Sequence, residues 1–223
     1  MTDAVTCWTL IRDSNEGDGA ARDLFAQRYT SPISAYLKAR WRGTRLIEVV
    51  ADATQDVFVE LFKDGGVMQR ADDRYEGGFR SLLFAVVRNV ARRFEERRKV
   101  SLDRRATSAG LDDRPVAGDS ASRIFDKKFA AGMMKLAAEA MRTAAEGEAA
   151  TRRYKLLRER FAKGRPIREV AELWDVSPDQ LHRDYALARE EFRVALRGVI
   201  AEHCDGTQAE LDRRSEELLE LLG

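Results

Sequence analysis

The sequence predicts an all-α protein: two small helical domains joined by a flexible linker, the second a four-helix domain with a helix-turn-helix. Three observations carry this. Alternating strand-type patterns are almost absent, while apolar residues recur at helical spacing along most of the chain. A stretch rich in Ser, Gly, Asp and Arg, residues 101–122, breaks that periodicity and reads as an interdomain linker. Beyond it, residues 164–193 read as a helix, a tight turn and a second helix. The chain has 223 residues, 44% of them hydrophobic and 35% charged, which suits small helical domains with charged surfaces and not a disordered chain.

The elements follow in order. Asp18 to Lys38 is expected to form one or two helices, with Ala21, Leu24, Phe25, Tyr29, Ile33, Tyr36 and Leu37 on one side and Pro32 bending or interrupting them. Ile47 to Lys63 forms a second helical unit carrying Val50, Val57, Phe58, Leu61 and Phe62, which Asp64-Gly65-Gly66 ends. A loop over 66–78 leads to the clearest helix, Phe79 to Lys99. Leu83, Val86, Val87, Val90 and Phe94 fall on one side of it. Arg88, Arg92, Glu95 and Lys99 fall on the other, with Asn89, Arg93 and Glu96 between. After the linker, helices are expected over Arg123 to Ala145 and Tyr154 to Lys163. The domains are thus 1–100 and 123–200. A tail, 201–223, ends in a leucine-rich helix that packs back on the second domain or meets a partner.

The helix-turn-helix is the most informative stretch. Pro166 sits where a first helical turn tolerates a missing N–H, and Ile167, Val170, Ala171 and Trp174 recur at helical spacing. After the break at Asp175-Val176-Ser177, the run Ser177-Pro178-Asp179-Gln180 restarts a helix, with Ser as N-cap. Leu181, Tyr185, Ala188, Phe192 and Leu196 line its inner face. Gln180, Arg183, Ala186 and Leu187 then point outward, flanked by His182 and Arg189. Such a second helix enters the DNA major groove. There Arg takes guanine, Gln takes adenine, and Ala or Leu packs on a thymine methyl. His182 reads as a phosphate or base contact, because no His or Cys lies within a helical turn to share a metal.

Net charge is +1, so a nucleic-acid footprint must be local. Arg88 to Arg105 supplies one, with eight basic residues against three acidic. A solvated face is the plainer reading of the same charges. Cys7 and Cys204 are far apart and form no CxxC, which indicates no zinc site or disulfide framework and fits a reducing cytoplasm. Neither a secretory signal nor an apolar run of membrane-spanning length is evident. The only two histidines are His182 and His203, and no Gly-rich phosphate loop, HExxH or GxSxG occurs. These features point away from an enzyme, a cofactor, a metal and a membrane partner.

The order of the pieces carries a family resemblance. Phe79-Arg80-Ser81-Leu82-Leu83-Phe84-Ala85-Val86-Val87-Arg88-Asn89 resembles the FRxWLxxIxRN stretch of ECF-type (extracytoplasmic-function) sigma factors. Asp52-Ala53-Thr54-Gln55-Asp56-Val57-Phe58 resembles their preceding D-x-x-Q-E-x-F helix, and Val170-Ala171 through Leu181 to Ala188-Arg189 resembles their helix-turn-helix. The resemblance covers about residues 8–197. It implies a cytoplasmic subunit that binds bacterial RNA polymerase core and initiates transcription at specific promoters. The 1–100 domain, sigma region 2-like, would melt the −10 element, and the 123–200 domain, region 4-like, would read the −35 element. By position, Asp52, Gln55, Asp56 and Phe58 would face polymerase, Asn89 would lie near a flipped-out −10 base, and Arg88, Arg92 and Arg93 would hold phosphates. An amide that both donates and accepts suits the edge of an extruded base.

The pattern also departs from the family. Val49 and Ala51 stand where relatives carry acids, so the grip on polymerase should be weaker. Some relatives with a thinned acidic run are switched on by a Ser/Thr kinase. Thr54 is the candidate phosphosite here, with a small buried or half-buried helix residue as the simpler reading. An anti-sigma factor is the other regulator the family implies. Asp184 replaces a basic residue of the recognition helix and is expected to pair with His182, Arg183 or Arg189, or to set the docking angle. Two other readings compete: a helix-turn-helix regulator that does not bind polymerase, and a helical protein-interaction module. The Asp52–Phe62 helix followed by Phe79–Asn89 argues against the first, since a simple repressor has no need of it.

Overall fold

In a computed structural model of the chain, the described residues are 7–63, 78–104, 118–203 and 207–221. Every regular element among them is helical: α1 (Cys7–Asn15), α2 (Gly19–Arg40), a 3-10 turn (Arg45–Val49), α3 (Val50–Phe62), α4 (Gly78–Arg104), α5 (Gly118–Ala144), α6 (Gly147–Phe161), α7 (Ile167–Trp174), α8 (Pro178–Ala201) and α9 (Gln208–Glu220). The expected stop at Asp64-Gly65-Gly66, most of the loop after it, and Cys204 and Gly206 of the tail lie outside the described residues. Among the described residues no helix is long and apolar enough to cross a membrane. Two compact units gather these helices. The first holds Met1–Gly132, Glu202–Thr207 and Leu218–Gly223, and the second Met133–Ala201 and Gln208–Glu217.

Local rules explain most of the first unit. Asp18 caps α2, its Oδ1 accepting the Ala20 N–H at 2.8 Å. The interruption expected at Pro32 does not occur. Pro32 lies inside the unbroken α2 with Tyr29, Ile33, Tyr36 and Leu37 buried around it. Proline in a helix interior costs about 3 kcal/mol, and packing on both flanks offsets it. Thr44 caps the 3-10 turn by accepting from the Leu46 N–H. In α3 the buried set is Val50, Ala53, Thr54, Val57 and Leu61, a single apolar stripe at helical spacing. In α4 it is Phe79, Leu82, Leu83, Val86, Val87, Val90 and Ala91.

An aromatic cluster fills the space between these stripes. Phe25 has ring centroids at 4.6 Å to Tyr29, 5.0 Å to Phe62, 5.7 Å to Phe79 and 6.2 Å to Phe58. Tilted and edge-on pairs of this kind add about 0.5–1.5 kcal/mol each beyond burial. Phe84 packs on Phe125 and Tyr36, which brings the first turns of α5 into this core. The stretch expected as a linker is therefore helical at both ends. Helix α4 continues to Arg104, and α5 begins at Gly118 instead of Arg123. Residues 105–117 lie outside the described residues.

One side chain was misplaced by periodicity, and another had no place assigned from the sequence. Glu95, expected on the solvent face of α4, accepts from Arg40 Nε at 2.6 Å, Arg40 Nη2 at 2.9 Å and Trp41 Nε1 at 2.9 Å. That hydrogen-bonded carboxylate holds the Arg40 guanidinium further above its usual pKa. His203 is only 5% exposed. Its Nε2 meets Tyr29 Oη at 2.8 Å, and its carbonyl accepts the Phe79 N–H at 3.2 Å.

The second unit is built on α6, α7 and α8. Leu156, Val170, Ala171 and Leu181 form one buried cluster, with Ile167, Trp174, Val176 and Tyr185 packed on it. Met141, Leu157 and Ala188 form another, joined by Tyr154, Tyr185, Phe192 and Ala195. Gly164, at φ +68°, makes the bend between α6 and α7 that a residue with a Cβ resists. Leu211 and Ser215 of α9 are buried, and Asp212 pairs with Arg197 of α8 at 3.1 Å.

Candidate nucleic-acid interface

The segment from α7 to α8 is shaped by its own sequence. The α7 end is a Schellman motif. The Val176 N–H reaches the Ala171 carbonyl at 3.1 Å, and the Asp175 N–H reaches Glu172 at 3.3 Å. Asp175 takes the left-handed conformation this needs, at φ 52°. Short polar side chains tolerate it better than most. Val176 folds onto the cluster that holds Val170 and Ala171, the apolar contact typical of this cap. Ser177 then caps α8, its Oγ accepting from the Gln180 N–H at 3.2 Å. Pro166 precedes the first turn of α7 as its N-cap, one residue earlier than expected.

This geometry fixes which side of α8 is free. Leu181, Ala188 and Leu196 are buried, while Tyr185 and Phe192 are half-buried. Gln180, His182, Arg183, Ala186, Leu187 and Arg189 are all exposed, and Leu187 is 55% exposed despite being apolar. The Arg189 guanidinium lies 5.9 Å from the Tyr185 ring centre, and Arg160 lies 5.6 Å from the same ring. Tyr185 therefore limits where Arg189 can reach. Asp184 does not pair with His182, Arg183 or Arg189. It faces α6 and pairs with Arg152 at 2.7 Å, its side chain 13% exposed. Beside it Arg153 pairs with Glu191 at 2.6 Å. Asp184 thus belongs to the α6–α8 packing, while Asp179 and Glu190 of the same helix stay exposed.

In the first unit, α3 and α4 display separate faces. Asp52 and Gln55 are exposed on α3, and Asp56 is half-buried. Val59, not singled out from the sequence, continues the same strip at 65% exposure. Phe58 is half-buried with its edge toward Phe25, so it serves the core as well as any surface. Thr54 is 6% exposed, and its Oγ1 donates to the Val50 carbonyl at 2.7 Å. A kinase has no access to that hydroxyl in this conformation, which fits the simpler reading of Thr54.

Arg88, Asn89 and Arg92 are exposed on α4. Arg93 is half-buried and pairs with Glu60 of α3 at 3.1 Å, so it braces two helices instead of standing free. Lys63 also donates to Glu60, and these two cations hold the Glu60 carboxyl below the usual range. Glu60, Val86, Asn89, Arg92, Arg93 and Glu96 line an open cavity of about 270 Å³. This is near the small end of ligand-sized pockets. Asn89 and Arg92 were expected at such a site. Glu60 and Glu96 were not, because contacts between helices leave no trace in the period of either one. Among the described residues no cluster of His, Cys, Asp and Glu could hold a metal ion.

Compared with models of known protein families, with curated proteins and with solved structures, the chain matches none of them.

Proposed function

We propose that this chain is a promoter-specificity subunit of the sigma type, which binds bacterial RNA polymerase core and directs it to DNA. The observation that best supports this is on α8. Six side chains suited to base and phosphate contact share its exposed surface, and Asp184, which stands between them in sequence, is turned inward onto Arg152. A helix presenting Arg, Gln, His and small apolar groups on one side is equipped for the major groove. In the first unit, the polar strip Asp52–Gln55 on α3 would meet polymerase. Asn89 and Arg92, which line the cavity on α4, and the exposed Arg88 would hold a single strand and one unstacked base.

Two experiments test this reading. Purified protein should co-elute with bacterial core polymerase from a sizing column, and Asp52→Arg, which reverses an exposed charge, should abolish co-elution without altering the melting temperature. DNA binding without co-elution would favour the regulator that works apart from polymerase. Secondly, Arg183→Ala should weaken binding to a selected duplex by about 1–3 kcal/mol and relax the preference at one base pair, again with unchanged melting. Equal affinity in titrations of the two proteins would remove α8 as the reading helix.

A further inference from the structure

We propose that Glu202 and His203, which follow α8 in the chain, form a releasable latch on the start of α4, and that α4 holds Arg88, Asn89 and Arg92 in one register only while the latch is closed. The consequence for DNA rests on the reading of α4 given above; the latch itself rests on geometry within the first unit.

Two contacts help to hold the closed state. The first N–H groups of a helix have no acceptor within it, and the His203 carbonyl takes that of Phe79, the second residue of α4, at 3.2 Å. The imidazole of the same residue reaches the Tyr29 hydroxyl of α2 at 2.8 Å. Its ring centre lies 6.2–6.3 Å from those of Tyr29, Phe79 and Phe129. One residue thus ties the beginning of α4 to α2 and to the aromatic core. Phe79 is fully buried against Phe25 and Tyr29, so freeing the segment loosens both the cap and the side chain beneath it.

The neighbours of this hold oppose it. Arg28 precedes Tyr29, and its Nε and Nη1 are buried with no hydrogen-bond partner. Glu202 precedes His203 and is half-buried. Burial pushes its carboxyl upward, and the attraction of Arg28 recovers only part of that. Charged groups taken from water without full hydrogen bonding disfavour the state that buries them. The favourable His–Tyr bond stands beside two incompletely compensated charges, which lower the cost of opening the latch.

Amide hydrogen exchange on the full chain tests the latch, comparing wild type with Tyr29→Phe, His203→Ala and His203→Gln. Tyr29→Phe removes one hydroxyl and keeps the ring, so it folds even if His203→Ala does not. The expected result is exchange over Phe79–Leu83 faster by roughly five- to tenfold in Tyr29→Phe, the effect of one buried hydrogen bond. The double variant Tyr29→Phe with His203→Ala should add little at this bond, and His203→Gln, whose amide reaches the same phenol, should stay near wild type. In parallel, Tyr29→Phe should bind a short single-stranded DNA oligonucleotide several-fold more weakly. Unchanged exchange over Phe79–Leu83 overturns the latch. Faster exchange with unchanged oligonucleotide affinity overturns its link to the α4 face. A wild-type chain that binds no single-stranded DNA overturns the DNA reading of α4, while exchange still decides whether the latch exists.

Discussion

Thr54→Glu is expected to unfold the first unit instead of mimicking a phosphate. The Thr54 side chain lies in the buried stripe of α3 with Val50, Ala53, Val57 and Leu61. A glutamate there meets two costs. Its added atoms overpack a filled site, at about 1–3 kcal/mol. Its carboxylate would lie in an apolar stripe, and an unpaired buried charge costs several kcal/mol more, or takes up a proton to escape it. Against a total stability of roughly 5–15 kcal/mol, the sum removes most of the margin. Thermal melting followed by circular dichroism should show the loss. Thr54→Val is the control. The Thr54 hydroxyl only shares the Val50 carbonyl, so its removal orphans no group and should shift stability by less than about 1 kcal/mol. If Thr54→Glu melts like wild type, position 54 is open to solvent in solution and kinase control of this helix returns as a live reading.

Thr54 also shows what a sequence carries and what it omits. Its burial was legible, since it sits at helical spacing from Val50 and Val57, and the same periodicity located nearly every apolar stripe. The turn before α8 was legible for another reason. Ser177 and Pro178 act within a few residues of themselves, so local chemistry suffices to place them. The outward set on α8 followed from those two facts together. What failed depended on contacts distant in sequence. Glu95 looked like a solvent residue because its partners, Arg40 and Trp41, lie 55 and 54 residues away. Asp184 was matched to neighbours on its own helix, while its actual partner, Arg152, belongs to α6. Arg93 was placed among phosphate contacts, and its pairing with Glu60 of α3 was not foreseen. Pro32 differs, since of the bend or interruption expected there the interruption does not occur. A local penalty of known sign was outweighed by burial on both sides of it, which no local rule weighs.

Glu95→Ala should destabilise the first unit by roughly 2–4 kcal/mol, whereas Glu96→Ala, one position along, should stay within about 0.5 kcal/mol of wild type. Glu95 accepts three hydrogen bonds, two from Arg40 and one from Trp41. The side chains of Arg40 and Glu95 are 16% and 18% exposed, so water recovers only part of what the alanine removes. Trp41 is fully buried, and its indole N–H would be left with no acceptor inside the core. A double-mutant cycle of Glu95→Ala with Trp41→Phe separates the two contributions, because the second change removes the orphaned donor. Glu96, by contrast, is exposed on the rim of the cavity that Asn89 lines. Its removal should leave melting unchanged and alter only what the cavity binds. Denaturant titrations of both variants measure the contrast directly. Equal small effects would mean that Glu95 is solvated and that α4 docks on α2 through its apolar face alone. A large loss confined to Glu95 would mean that adjacent carboxylates on one helix serve separate ends, the first fixing α4 in the core and the second shaping the surface it offers.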